Sequence, residues 1–264
     1  MKTSFIKASY ALLVPLIFIG ILAFLTVIPL NAVSKYGIGG ILVTVVALAL
    51  TYIAVRINKT TFKAINFYID KGTPLRFFCG FIIGTVTIII MLIVLLKISE
   101  LNLNLNQGID AYAITFNLFP VFILAYMEEV IFRGYAFSKV NEYLGIWPAQ
   151  ILLALLFAWY HDFTGATFFN QLLGPGIWAL IFGIVTLRSK GIALATGLHM
   201  ALNVGQALVG LKDGRESIWS LQYNQTATPE LEFQTETIGL ALQLCILVIA
   251  IILTEKYRRS YQEK

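Results

Sequence analysis

The sequence predicts an all-α fold: a polytopic membrane protein of about eight transmembrane helices packed as a bundle. Three observations carry that prediction. Of 264 residues, 58% are apolar and only 12% are charged, about half the charged share of near 25% in soluble proteins. The mean hydropathy is +0.81. Apolar stretches recur along the chain at lengths close to the roughly 20 residues that a helix needs to cross a bilayer. So little charge cannot coat a water-soluble globule of this length. The composition also excludes a disordered chain and a collagen-like fibre. Cys79 and Cys245 lie in apolar runs; they read as small core hydrophobes, not as a disulfide or metal pair.

The apolar stretches run approximately over 10–30, 38–55, 77–96, 112–138, 147–163, 174–187, 191–210 and 238–254. The first is too long for a signal-peptide core and no small-residue cleavage site follows it, so it reads as a span. The fourth exceeds a bilayer thickness and predicts tilt or protrusion. The sixth is short and contains Gly174, Pro175, Gly176 and Gly183. Such a backbone needs neighbouring helices to satisfy it. Between the second and third stretches, 56–76 alternates apolar residues (Phe62, Ile65, Phe67) with Lys59, Lys63 and Lys71. It reads either as an interfacial amphipathic helix or as a basic linker. The alternating Leu101–Asn106 run predicts extended chain at the interface. With no internal repeat and no soluble segment, 1–264 reads as one integral membrane domain.

Orientation follows from the basic residues. With the N-terminus inside, the cytosolic segments hold Lys2, Lys7, Arg56, Lys59, Lys63, Lys71, Arg76, Arg133, Lys139, Arg188, Lys190, Lys256, Arg258, Arg259 and Lys264. The outer segments hold only Lys35, Lys97, Lys212 and Arg215. The positive-inside rule therefore puts both termini of this multi-pass protein in the cytosol, with the cell membrane as its location. The net charge of +5 is accounted for by these anchors. No basic–aromatic interleaving suggests nucleic acid.

Three charges fall deep within a span. The segment Tyr126-Met127-Glu128-Glu129-Val130-Ile131-Phe132-Arg133-Gly134 holds two adjacent acids and a base. Each would cost about 2.5–3.5 kcal/mol in the bilayer interior if unpaired. Glu129 and Arg133 stand at i and i+4, on one face, which predicts a structural ion pair. Glu128 is turned about 100° away and is the candidate reactive carboxylate. The chain has two histidines, His161 and His199, both in or at the ends of spans. Phe157 precedes His161 by one turn, and Asn203 follows His199 by one turn. At about 1.5 Å of rise per residue, Glu128, His161 and His199 fall at overlapping depths.

That set of groups can hydrolyse a peptide bond in two ways. Glu128 with a histidine can withdraw a proton from water, while Asn203 and the other histidine stabilise the oxyanion. Alternatively, His161, His199 and Glu128 can hold a divalent metal such as zinc, which activates the water. Glu129 would then have to act as the base, although its spacing ties it to Arg133, so the metal-free reading is preferred. Other intramembrane protease chemistries find no support. There is no H-E-x-x-H zinc motif and no G-x-S-x-G elbow. All nine serines lie near span ends or in loops, so no buried serine is expected as a nucleophile, and no aspartates pair within spans.

The three segments resemble the motifs of the CPBP (Abi) family, which contains CAAX prenyl proteases and bacteriocin-processing or immunity proteins. E-E-x-x-x-R matches Glu128, Glu129 and Arg133; F-x-x-x-H matches Phe157 and His161; H-x-x-x-N matches His199 and Asn203. Gly134 and Tyr135 after the arginine resemble the bacterial branch. The match covers about 111–210, with order and spacing kept. The resemblance implies a membrane endopeptidase with a cytosol-facing cavity. It implies Glu128 as the water-activating base, helped by His161, with His199 and Asn203 at the oxyanion or a metal. The implied partner is a peptide or protein substrate in or at the bilayer, membrane-associated or lipidated. The rival expectation is a non-enzymatic immunity or peptide-binding protein.

Overall fold

The computed structural model describes residues 2–26, 39–161, 167–212, 216–224 and 226–263. Lys35, Asp162, Asp213, Arg215, Lys264 and the 27–30 end of the first expected span lie outside the described residues. Six helical stretches are long and apolar enough to cross a membrane: Lys2–Leu25, Gly39–Ile57, Thr73–Ile98, Ala111–Leu144, Phe168–Ser189 and Pro229–Ser260. Two shorter apolar helices, Ile146–His161 and Ile192–Leu208, complete the set. The chain is therefore an all-α, multi-pass membrane protein. Large apolar side chains such as Ile82, Val86, Ile89 and Ile93 on one helix point out of the bundle, where lipid replaces the protein core.

The helices are α1 (Lys2–Thr26), α2 (Gly39–Ile57) and α3 (Thr73–Ile98), then α4 (Ala111–Glu128), α5 (Phe137–Leu144) and α6 (Ile146–His161). The short α7 (Phe168–Gln171) precedes α8 (Ile177–Ser189), α9 (Ile192–Leu208) and α10 (Pro229–Gln262). The Asp110 carboxylate caps α4 by accepting from the Tyr112 N–H, and the Thr228 hydroxyl caps α10. α4 and α5 are joined by a π-helical stretch, Glu129–Ala136, in which Gly134 leaves helical geometry (φ −70°, ψ −113°). The fourth expected span is thus a kinked rod. A second π-helical stretch, Leu172–Gly176, surrounds Pro175, where the missing N–H and the ring prevent an α-helical turn.

α3 and α9 make the closest helix pair. They run in the same direction, with Gly80 against Leu194, Gly84 against Leu198 and Gly197 against Phe77. A Cβ on Gly80 or Gly197 would collide with a backbone carbonyl oxygen of the other helix. Gly80-x-x-x-Gly84 is the small-residue spacing that permits backbone contact between membrane helices. This packing holds α9, and His199 with it, against the bundle.

The linker reading of 56–76 holds, the extended 101–106 run gains a partner, and two expectations change. The 56–76 segment is not an amphipathic helix. Between the end of α2 and the start of α3 it holds only a 3₁₀ turn, Lys63–Ile65, pinned by fully buried Ile65 and by the Asn66 side chain donating to Ser138. Leu101–Leu105 is a strand, β1, paired antiparallel with β2 (Trp219–Tyr223). The two strands follow α3 and α9, whose parallel packing brings those ends together. Cys79 and Cys245 are exposed on the outside of the bundle, so they are lipid-facing rather than core. Ser138 is buried, but ten residues beyond Glu128 at the α5 end, and its hydroxyl is held by Asn66.

Candidate functional site

Four elements supply the polar cluster. Glu128 closes α4 and Glu129 opens the π-helical stretch. π-helical turns are found mostly as local bulges, frequently at functional sites, because the wide turn re-aims side chains. His161 is the last residue of α6. His199 sits in the middle of α9, one turn before Asn203. Glu128, Glu129, Arg133 and His199 are all buried, and Arg133 and Glu129 almost completely so, at 1% and 0% exposure. Asn203 is half-buried.

The two glutamates have different surroundings. Glu129 Oε1 lies 2.8 Å from His199 Nδ1 and 3.4 Å from Arg133 Nη1. Glu128 Oε1 accepts from the Tyr160 hydroxyl at 3.3 Å. Its other oxygen, Oε2, stands 3.5 Å from His199 Nε2 and 4.0 Å from His161 Nε2. That oxygen is buried and has no hydrogen-bond partner among the described residues. His199 therefore bridges the two carboxylates.

Both imidazoles are oriented through Nδ1. A carboxylate can only accept, so the His199 contact with Glu129 puts a proton on Nδ1. His161 Nδ1 lies 2.8 Å from the Phe157 carbonyl oxygen, which likewise only accepts. The Nε2 atoms of both rings are thereby turned towards Glu128. This is the outer-shell arrangement by which proteins fix a histidine for proton transfer or metal ligation.

Arg133 is enclosed by aromatic rings. Its guanidinium carbon lies 4.2 Å from the Phe157 ring centre, 5.1 Å from Phe182 and 5.9 Å from Phe132. Neither Nη1 nor Nη2 makes a hydrogen bond among the described residues. Ring quadrupoles and the Glu129 charge replace the missing hydration, each cation–π contact contributing about 0.5–2 kcal/mol. Phe157, whose role the sequence left open, thus touches both Arg133 and His161, with its ring centre 4.5 Å from the imidazole.

Glu128, Glu129, His161, His199 and Arg133 come together in one cluster. Asn203 is placed on the same helix as His199, one turn further. Two neighbours went unread in the sequence. Tyr160 carried a signal, since a phenol beside His161 inside an apolar helix needs a polar partner. Phe182 carried none; nothing local distinguishes it from the core phenylalanines.

Chemically, the cluster offers carboxylates able to accept a proton and two oriented imidazoles in a low-dielectric site, with the Asn203 carboxamide one helical turn beyond His199. Glu128, His161 and His199 are also a suitable donor set for a divalent ion, a partnerless carboxylate oxygen facing two ring nitrogens. In the arrangement seen, however, no three His, Cys, Asp or Glu side chains among the described residues form a metal-site geometry.

A groove of about 340 Å³ between α2, α4 and α9 is lined by Ile41, Val45, Phe122, Ile123, Tyr126 and Met200. Tyr126 and Met200 are two and one residues from Glu128 and His199. The surface it presents is wholly apolar; the Thr44 hydroxyl is turned to the Gly40 carbonyl.

No curated protein matches the chain. Residues 110–205, the stretch that carries all three motifs, match the family described as Type II CAAX prenyl endopeptidase Rce1-like, consistent with the CPBP family that those motifs resemble.

Proposed function

We propose that the protein is an intramembrane endopeptidase of CAAX type in which Glu128, assisted by His161, activates water. The family match supports endopeptidase activity in general. The observation that carries the finer reading is the partnerless Glu128 Oε2 facing two Nε2 atoms. A water there donates one hydrogen to Glu128 and the other to His161 Nε2. Its oxygen then attacks the scissile carbonyl carbon as Glu128 takes the proton. The C–O bond forms, the C–N bond breaks, and Glu128 returns the proton to the leaving amine. Tyr160 holds Glu128 in place through Oε1.

Asn203 and His199 receive the developing oxyanion. That role requires His199 to carry a proton on Nε2 as well as on Nδ1. The charges then balance, with Glu128 and Glu129 negative and Arg133 and His199 positive. If a divalent ion is used instead, His161, His199 and Glu128 would hold it, and it would supply Lewis-acid activation of the water. Glu129 would then be the base, and its contacts with His199 and Arg133 make it poorly disposed for that task.

The substrate of this reading is a membrane-associated or lipidated peptide, whose apolar chain the groove between α2, α4 and α9 suits. The active unit is one integral membrane domain with its core at about 111–210, both termini cytosolic and the cavity open to the cytosol. The test uses purified protein in nanodiscs and two internally quenched peptides, one with a prenylated cysteine four residues from its C-terminus and one unmodified. Cleavage by the native chain and loss of turnover in a folded Glu128→Gln are expected. Undiminished cleavage by Glu128→Gln would overturn the assignment. Tight peptide binding without cleavage would favour the non-enzymatic immunity or binding role.

A further inference from the structure

We infer that Phe182, on α8 and outside all three motifs, is a positioning residue that fixes the ring plane of His199. The Phe182 and His199 rings are stacked, with centres 4.5 Å apart and planes 18° from parallel. The Arg133 guanidinium lies 5.1 Å from the Phe182 ring centre. Phe182 is 1% exposed.

The stack does what the Glu129 hydrogen bond cannot. Beyond its covalent tether at Cγ, the imidazole is held by a single Nδ1–H···O bond, and its plane can swing as far as that one bond tolerates. A flat ring packed against its face removes the swing, and so fixes where Nε2 points. Rotation of His199 about its bond to Glu129 would move Nε2 away from Glu128 Oε2, which lies at 3.5 Å. The opposite error, a ring flip that exchanges the nitrogens, is opposed by Glu129. Phe182 and Glu129 together leave one orientation.

Phe182 is itself held in register. Gln150 of α6, 1% exposed, donates from Nε2 to the Leu180 carbonyl on α8 and to the Thr254 hydroxyl on α10, each at 3.0 Å. The next residue, Gly183, has no room for a side chain, because a Cβ would meet Gln150 Oε1 and the Phe137 ring. α8 therefore lies close against α6, two residues from a buried polar tie. The helix that carries His161 thus also sets the helix that braces His199.

The catalytic consequence rests on the peptidase reading above, but the positioning itself does not. With only two histidines in the chain, imidazole ¹⁵N and ¹H resonances of the whole protein in nanodiscs can be assigned by one His161→Gln variant. At a pH high enough to leave the ring neutral, native His199 should show one tautomer, protonated on Nδ1, with ring protons shifted upfield by the stacked Phe182. Phe182→Leu should lose the upfield shift and weaken the Nδ1–H hydrogen bond to Glu129, broadening the Nδ1 signal as the ring plane becomes mobile. Phe182→Tyr, which keeps the ring, should retain both signatures. Ile184→Ala, a large deletion of buried volume on the same helix, controls for loss of packing and should leave His199 unchanged. If Phe182→Leu does not yield folded protein, Phe182→Met takes its place.

With the prenylated peptide as substrate, Phe182→Leu should lower kcat by about ten- to a hundredfold, the scale of a small misplacement of a catalytic group, with KM little changed. Phe182→Tyr should recover most of it. Unaltered His199 resonances in folded Phe182→Leu would overturn the proposal, as would equal disturbance by Ile184→Ala. Absence of peptidase activity in the native chain, with the resonance changes as expected, would sink the peptidase reading and leave the positioning role standing.

Discussion

Replacing Arg133 by Met tests the electrostatics of the cluster directly. The native guanidinium, 1% exposed, offsets the charge of Glu129, which is 0% exposed and 3.4 Å away. Removing one member of a buried pair typically costs about 3–5 kcal/mol, because the survivor stays buried without its counter-charge. The ring contacts with Phe157 and Phe182 add about 0.5–2 kcal/mol each, part of which Met recovers by packing against the same rings. At roughly 2–4 °C per kcal/mol for a chain of this size class, the pair loss alone lowers the unfolding midpoint by roughly 6–20 °C. The assay is thermal unfolding in detergent, followed by intrinsic fluorescence, on the native chain, Arg133→Met, Glu129→Gln and the double variant. Glu129→Gln keeps an acceptor for His199 Nδ1 while removing the charge. The double variant leaves neither charge exposed to low dielectric, so it should be more stable than Arg133→Met alone, with a coupling energy of about 1–3 kcal/mol. Strict additivity of the two single effects would refute the reasoning. It would mean that Glu129 does not need Arg133, and that His199 alone compensates its charge.

Three further outcomes are expected. Gly80→Val should sharply reduce folded yield, since its side chain must displace the Leu194 carbonyl on α9, whereas Gly20→Val, with open space around the added atoms, should be tolerated; equal yields, read by size-exclusion chromatography, would contradict the close α3–α9 packing. Tyr160→Phe removes one hydrogen bond to the Glu128 carboxylate, worth about 1.5–3 kcal/mol for a charged acceptor, and should reduce turnover without unfolding the protein; full activity in a peptide-cleavage assay would show that Oε1 needs no donor. Purified active protein should contain substoichiometric metal and survive prolonged chelation; one tightly bound zinc per chain, whose removal abolishes activity and whose return restores it, would reverse the preference for metal-free chemistry.

Much of this protein was legible in the sequence, for a clear physical reason. In a bilayer the backbone must satisfy itself, so apolar stretches of span length can only be helices, and all eight appear. The same low dielectric makes charges rare within spans, which is why Glu128, Glu129 and Arg133 stood out, and why two histidines could be grouped with them. What local sequence could not carry was any relation between separate elements. Leu101–Leu105 became a strand only because α3 and α9 pack in parallel and deliver the distant Trp219–Tyr223 beside it. The 56–76 segment has the charge pattern of an interfacial helix, yet Ile65 and Asn66 find better partners in the bundle. Helical spacing placed Glu129 with Arg133 and turned Glu128 away, but it could not show that His199 would reach both carboxylates from another helix. Phe182 is the extreme case. As a residue it is one of 19 phenylalanines; only the packing of α8 against α6 and α9 brings its ring against both the guanidinium and the imidazole.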